Sequence, residues 1–475
     1  MPLCRSPGDK NRQLCPPCPS GILNLPPCSS TPINTQNSSD EFCALPRRSP
    51  SEHASLFVRL VARANERGPC AFAFAIVEGF LFAVLCGTIC TPLGIRRGDR
   101  LENLIMKQKI INFAKTEFVL CIAAVCAVIS MFFVPPSAAY LDYIDVRTLC
   151  LLFCLMALVA GFGKCNVFRL LAQTLLSMQK NMRGLSVVLI LLSFFSSMLI
   201  TNDVALITFV PFTLLVLSMC GHLEAAPVLI VFQTIAANLG SMATPFGNPQ
   251  NLFLYANYNL SAGDFFGTVV PITAVSFVAL LICGLTRKQA SVSVNFTEKV
   301  ELAYPKLCLM FAALFVLTLL SVFHVVHYAV VTVIVFVMLA LFSRDLLSKV
   351  DYMLLITFVC FFVFAGNIGA IPAVNAALSS VMERHGLYTS ILASQVISNV
   401  PAAVLLSGFT DNWQALLAGT NIGGLGTPIA SMASLISLKL YMKSEGAKPG
   451  FYMMFFTVCN IIGLVLLSGF YMLFF

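Results

Sequence analysis

Two asparagines, Asn202 and Asn399, interrupt long apolar runs in the segments Ile200-Thr201-Asn202-Asp203-Val204-Ala205 and Ile397-Ser398-Asn399-Val400-Pro401-Ala402. Each is followed by a second interruption of shared pattern, Asn-x-Gly-x-x-x-Thr-Pro. It runs from Asn238 to Pro245 and again from Asn421 to Pro428. Amide oxygens, hydroxyls and freed backbone carbonyls suit a hard cation such as Na+, whereas helix N-termini suit an anion. The chemistry on offer is reversible ligation of a small ion or solute. The chain shows no nucleotide loop, metal cluster or credible triad, so an enzyme is not expected.

A membrane-spanning helix has no local reason to collect Asn, Gly, Thr and Pro. Irregular backbone at membrane depth survives only where protein or a watery cavity satisfies its polar groups. Such breaks at matching places in two halves point to the binding site of a secondary transporter. The candidate ligands are Thr201, Asn202, Asp203, Asn238, Thr244 and Asn248 in the first half, and Ser398, Asn399, Asn421 and Thr427 in the second. Gly240, Pro245, Gly423, Gly426 and Pro428 are the expected backbone breaks, glycine by permitting unwinding and proline by forbidding a continuous ladder. No metal is expected beyond Na+ at Asn202 and Asn399, and no cofactor beyond Na+ or H+ as coupling ion. Asp203 has two readings that coexist. An ionisable group at mid-membrane is costly and functional by default, here as a coupling carboxylate; the same side chain can also cap a helix. Lys164 could reach an anion, but a lysine snorkelling to the interface is the plainer reading.

The elements that carry these residues follow from composition. Of 475 residues, 58% are hydrophobic and 11% charged, with a mean hydropathy of +0.88. That is a polytopic all-α membrane protein rather than a soluble domain. The net charge of +8 does not suggest nucleic acid, because the Lys and Arg fall in short loops between apolar segments, the positive-inside pattern. Most of the 18 cysteines lie in apolar runs and act as small hydrophobes, and no disulfide is assigned. Cys15-Pro16-Pro17-Cys18 has the spacing of a redox dithiol but lacks a strand–helix context.

Residues 1–70 read as a disordered Pro/Ser/Cys-rich extension, and 71–105 as an extra apolar segment with a basic linker. A first transporter repeat is expected over 106–286, a cytoplasmic linker over 287–306, and a connecting helix with a second repeat over 307–475. The apolar legs around Asn202 are about 16 residues each, short of the roughly 20 a spanning helix needs, which predicts a re-entrant hairpin. A second hairpin is expected over 389–409, after an amphipathic connector at 375–388. Broken helices follow, with breaks at 240–251 and 419–431. Asp145 precedes Gly161 much as Asp351 precedes Gly366. An odd number of crossings between the halves makes the repeat inverted in topology. Basic loop residues place the Met106 end in the cytoplasm and the C-terminus outside, in a multi-pass cell-membrane protein.

The segments Thr201–Leu206 and Gly240–Asn251 resemble the ion-transporter superfamily. That group includes divalent anion/sodium symporters, citrate transporter-like permeases, arsenite permeases and sodium/proton antiporters of the same fold. The resemblance covers about residues 106–475. In the divalent-anion symporters each hairpin tip carries Ser-Asn-Thr, which contacts sodium and a substrate carboxylate. The resemblance therefore implies that role for Asn202 and Asn399. The third tip position departs from the pattern, being Asp203 in one half and Val400 in the other.

The expected function is secondary transport of a small anion such as citrate or another carboxylate, coupled to Na+ or H+. The alternatives are an arsenite/antimonite efflux permease and a cation/proton antiporter using Asp203. The expected partners are a small-molecule anion or oxyanion and the lipid bilayer, with a homodimer as a compatible assembly.

Overall fold

The structure, a computed structural model, describes residues 117–177, 179–287, 290–291 and 299–475. The extension at 1–70, the apolar segment at 71–105, the start at Met106 and part of the 287–306 linker lie outside the described residues. Within them are seventeen α-helices, and the only strand-like pairing is the isolated bridge Asn181–Ser291. Among the described residues, eight helices are long and apolar enough to cross a membrane. The chain is thus a polytopic all-α membrane protein.

The first half contains α1 (Phe118–Phe133), α2 (Tyr140–Tyr143), α3 (Val146–Lys164) and α4 (Val167–Ser177). It continues through α5 (Met182–Leu199), α6 (Asn202–Met219), α7 (Ala226–Ser241), α8 (Pro249–Asn257) and α9 (Ala262–Leu285). Two connecting helices, α10 (Pro305–Val322) and α11 (Tyr328–Phe342), come next. The second half is α12 (Tyr352–Gly369), α13 (Pro372–Ile397), α14 (Asn399–Leu406), α15 (Trp413–Ile422), α16 (Met432–Met442) and α17 (Pro449–Phe474).

The helix starts are written locally. Asp145 caps α3 by accepting from the Thr148 N–H at 3.0 Å, and Asp351 caps α12 by accepting from the Leu354 N–H at 2.9 Å. The two caps share backbone torsions, φ −76°, ψ 88° and φ −78°, ψ 83°. Proline stands in the first turn of α7, α8, α10, α13 and α17, where its missing N–H costs no helical bond.

From α3 and from α12 the elements run in the same order: a helix, a hairpin, a broken helix and a closing helix. The hairpins differ in detail. The legs α5 and α6 are 18 residues each, longer than expected. The connector expected at 375–388 is continuous with the next leg, giving a 26-residue α13 bent at His385, where φ is −138°. Its partner α14 has only 8 residues before a 3-10 turn at Ser407–Phe409. The breaks are shorter than expected. They fall between Ser241 and Pro249 and between Ile422 and Met432.

Each hairpin packs on the broken helix of its own half, α5 on α7 and α13 on α15. The second legs cross over: α6 packs on α16 and α14 on α8. The interior is shared accordingly, with Leu189 and Leu229 in one buried cluster with Ile422, Leu425 and Tyr452. The outward faces stay apolar. Leu309 is 74% exposed and Leu473 is 82% exposed, which is favourable only where lipid is the solvent.

Candidate functional site

The two asparagines do the same local work. At the first tip, α5 ends at Leu199 and α6 begins at Asn202. The Asn202 Oδ1 accepts the Asp203 N–H at 3.0 Å, satisfying one of the free donors of the new helix. At the second tip, the Asn399 Oδ1 accepts the Val400 N–H at 2.9 Å. Asn202 then donates from Nδ2 to the Asn238 Oδ1 at 3.0 Å. The second tip is held differently. The Asn399 N–H donates to the Ala430 carbonyl at 2.9 Å, and the Ser398 hydroxyl donates to the same carbonyl at 3.3 Å.

The broken helices are tied to the hairpins by equivalent contacts. The Thr244 hydroxyl donates to the Met198 carbonyl at 2.7 Å, and the Thr427 hydroxyl to the Gln395 carbonyl at 3.2 Å. Each acceptor lies four residues before its tip asparagine. A Cβ added at Gly240 would meet the Ser197 hydroxyl at 2.6 Å and collide with the Phe194 carbonyl; one added at Gly423 would meet Ser394 at 2.8 Å. Ser197 and Ser394 each stand five residues before their tip asparagine. Gly240 remains inside α7, so it serves close helix approach, not the unwinding expected of it. Gly426, at φ +108°, is the motif glycine whose backbone conformation excludes a side chain. Pro245 and Pro428 lie in the breaks, between Ser241 and Pro249 and between Ile422 and Met432.

Between the breaks is a buried amide network. The Asn248 Nδ2 donates to the Asn421 Oδ1 at 3.1 Å, and the Asn421 Nδ2 to the Asn251 Oδ1 at 2.6 Å. The Asn251 amide donates to the Met242 and Thr244 carbonyls at 3.1 and 3.2 Å, meeting two acceptors exposed by the first break. Asn238 links both halves, accepting from the Ser431 hydroxyl at 2.9 Å.

In front of this network is a cavity of about 350 Å3. Asn202, Asp203, Ser398 and Asn399 line it, together with Gln250 and Ser431. The starts of four helices, α6, α8, α14 and α16, therefore border one space. Asp203 lies in the first turn of α6, and its Oδ1 is buried with no hydrogen-bond partner among the described residues. Glu117, Asp351 and Lys439 are the other charged residues of the lining. Burial and the Asp351 carboxylate raise the pKa of Glu117 above its ordinary value, with Lys439 opposing. Lys164 is not in this lining; its Nζ is 2.7 Å from Asp345.

The structure brings four of the ten candidate ligands, Asn202, Asp203, Ser398 and Asn399, to the cavity. Asn238, Asn248 and Asn421 belong to the network behind it, and Thr244 and Thr427 are ties. Thr201 is the N-cap position of α6. Sequence reasoning missed Glu117, Gln250, Ser431 and Lys439 as lining residues, and used Asp351 only for alignment. Ser431 had a readable signal. It follows Pro428 by three residues, as Asn248 follows Pro245, and both stand at the N-cap of the next helix.

A membrane-spanning helical bundle that gathers two capped hairpins and two broken helices around one polar cavity defines a membrane transporter. The sequence model of the CitMHS citrate transporter family matches residues 104–414, and the chain belongs to that family. It is 33% identical over 334 residues to an uncharacterized transporter of Methanocaldococcus jannaschii, covering 69% of this chain and 89% of the relative. It is 31% identical over 317 residues to the inner membrane protein YbiR of Escherichia coli, covering 65% and 84%. A shorter match, 34% identical over 128 residues, covers 27% of this chain and 26% of a silicon efflux transporter of Oryza sativa subsp. japonica.

Proposed function

We propose that this chain is a secondary active transporter of a small carboxylate or oxyanion, of which citrate is the type, coupled to H+ or Na+. The observation that carries the reading is the convergence of four helix starts on the cavity between Asn202 and Asn399. Each start presents N–H groups and the positive end of a helix dipole, equivalent to roughly half a charge. Glu117 and Asp351 stand at the starts of α1 and α12 and answer those dipoles themselves. The starts of α8, α14 and α16 have no carboxylate in their first turns, so a substrate anion is their natural counterpart.

Asp203 then takes the coupling cation. Left ionised beside a substrate anion, its unpartnered Oδ1 adds repulsion in a poorly solvated place. A proton or Na+ on that carboxylate removes the repulsion, so anion and cation bind better together than apart. For Na+, the available oxygens are the Asp203 Oδ1 and the second lone pair of the Asn202 amide. The basic residues Lys439 and Lys443 at the end of α16 and Lys448 at the start of α17 support a cytoplasmic mouth for this cavity.

A second reading has its own support. Lys439 is the one side-chain cation in the lining, against three carboxylates. A solute neutral at pH 7, such as arsenite or silicic acid, needs no cation there, and a partial relative is named a silicon efflux transporter. Proteoliposomes supplied with citrate, other carboxylates, sulfate, arsenite or silicic acid, with an imposed Na+ or pH gradient, separate the readings. Gradient-driven accumulation of an anion is expected. Accumulation of only the neutral acids would establish the second reading, and flux that merely equilibrates any solute would reject both.

A further inference from the structure

A second, larger space lies away from the candidate site. It encloses about 1090 Å3 between α4, α6 and the 3-10 turn Arg344–Lys349. One wall carries Lys164, Arg169 and Lys349. Lys164 is paired with Asp345, which also lies near Lys349. Lys349 thus shares the Asp345 carboxylate with Lys164 at longer range, and Arg169 has no ion-pair partner among the described residues, so three cations face one carboxylate. The facing wall belongs to α6, where Ile207, Pro211, Leu215 and Met219 recur every four residues as one outward stripe. Ile207 is 53% exposed and Leu215 is 54% exposed.

We infer that this crevice holds an anionic glycerophospholipid. Its phosphate lies against Arg169 and Lys349, and an acyl chain runs along Ile207, Leu215 and Met219. Charge and apolarity select this occupant jointly. A water-soluble anion leaves the apolar stripe wet, and a zwitterionic lipid brings a cation of its own to a wall where three cations already outnumber one carboxylate. Basic pockets beside membrane helices are recognised seats for acidic headgroups, and the bilayer supplies the ligand at high local concentration. The seat does not depend on the transported solute. It lies on the helix that begins with Asn202 and Asp203, so its occupant braces the back of the first hairpin.

The test uses the full chain purified from a membrane extract and equilibrated with equal amounts of phosphatidylglycerol and phosphatidylcholine of the same acyl chains. Retained lipid is counted by native mass spectrometry. Preferential retention of phosphatidylglycerol is expected. Arg169→Gln with Lys349→Gln should lower that preference by about thirty-fold, roughly five-fold per cation removed. Leu215→Trp, which narrows the apolar lane, should lower retention of both lipids. Glycerol 3-phosphate at millimolar concentration should displace neither. Equal retention of the two lipids by the unaltered chain overturns the inference, even if the double variant fails to fold. So does an unchanged preference in the folded double variant, or unchanged retention in Leu215→Trp. Displacement by glycerol 3-phosphate overturns it in favour of a soluble-phosphate site.

Discussion

The Nδ2 of Asn248, at the end of the first break, lies 3.1 Å from the Oδ1 of Asn421, at the start of the second. This bond joins the two broken helices directly. Asn248 also caps α8 by accepting the Asn251 N–H at 2.9 Å. We predict that Asn248→Ala destabilises the protein by about 2–3 kcal/mol, from loss of a cap and an unpaired amide oxygen on Asn421. Asn421→Ala should cost about the same, and the double variant less than their sum. Denaturation of the three proteins in one detergent measures this; strict additivity would show the bond to be energetically silent.

Asn202→Ala and Asn399→Ala should each abolish transport with little change in stability. Removing Asn202 leaves the Asn238 Oδ1 still paired with the Ser431 hydroxyl, so no buried acceptor is orphaned. The expected cost is about 1 kcal/mol. Uptake assays beside a melting curve check both halves of the statement. Retained uptake in both variants would sink the assignment of the tips as ligands.

Asp203→Asn should preserve folding but flatten the Na+ or pH dependence of accumulation. Asn has the same shape and can serve in the first turn of a helix, yet it cannot carry the charge that a cation neutralises. A purely structural role predicts near-normal coupling in Asp203→Asn and damage only in Asp203→Ala. Comparing the coupling-ion dependence of the two variants decides between the roles.

Thr244→Val and Thr427→Val should lower stability by about 1 kcal/mol each and leave the substrate KM unchanged. Both hydroxyls are spent on hairpin carbonyls, at Met198 and Gln395. A ligand role predicts the reverse pattern, an altered KM at unaltered stability.

Glu117 and Lys439 offer a test of substrate charge. For an anion, Glu117→Gln should lower KM at pH 7 by about three- to five-fold, and Lys439→Gln should raise it similarly, both effects shrinking in high salt. The pKa of Glu117 is raised, so this carboxylate begins to protonate at a higher pH than an ordinary one. Its repulsion is present above that pKa and lost as pH falls through it. KM should therefore drop on acidification in the parent chain but change less in Glu117→Gln, the two converging at low pH. The same raised pKa favours protonated Glu117 in the folded state, so its contribution to stability declines as pH rises. A neutral solute predicts no change of KM in either variant.

Much of this architecture was readable because two rules act locally. Thr-Pro beside clustered glycines favours a break more than a lone Gly or Pro does, since Gly240, Pro211 and Pro271 stay inside helices, so the breaks near Pro245 and Pro428 could be placed without a structure. Short polar words in apolar runs located Asn202 and Asn399. Lining residues that depend on distant packing were not readable. Lys439 is an ordinary basic residue in its own segment, and Glu117 precedes an ordinary apolar helix. Only the folding of α16 and α1 around the hairpins brings them to one cavity. The asparagines of the second motif element misled for a related reason. Asn238 and Asn421 have equivalent sequence positions, but one reaches a tip and the other reaches the opposite break.

The tips also differ in one torsion. Ser398 sits at φ +73°, ψ 154°, a region that a residue with a Cβ occupies at a cost of about 1–3 kcal/mol, whereas Thr201 is at an unstrained φ of −61°. The second hairpin is thus a loaded catch and the first a fixed stop. Any movement that frees the Ala430 carbonyl from Asn399 and Ser398 lets that catch relax, while the first tip has no such store to release. Two halves with the same order of elements thus differ in stored backbone strain, and the strained tip is the one that carries no carboxylate.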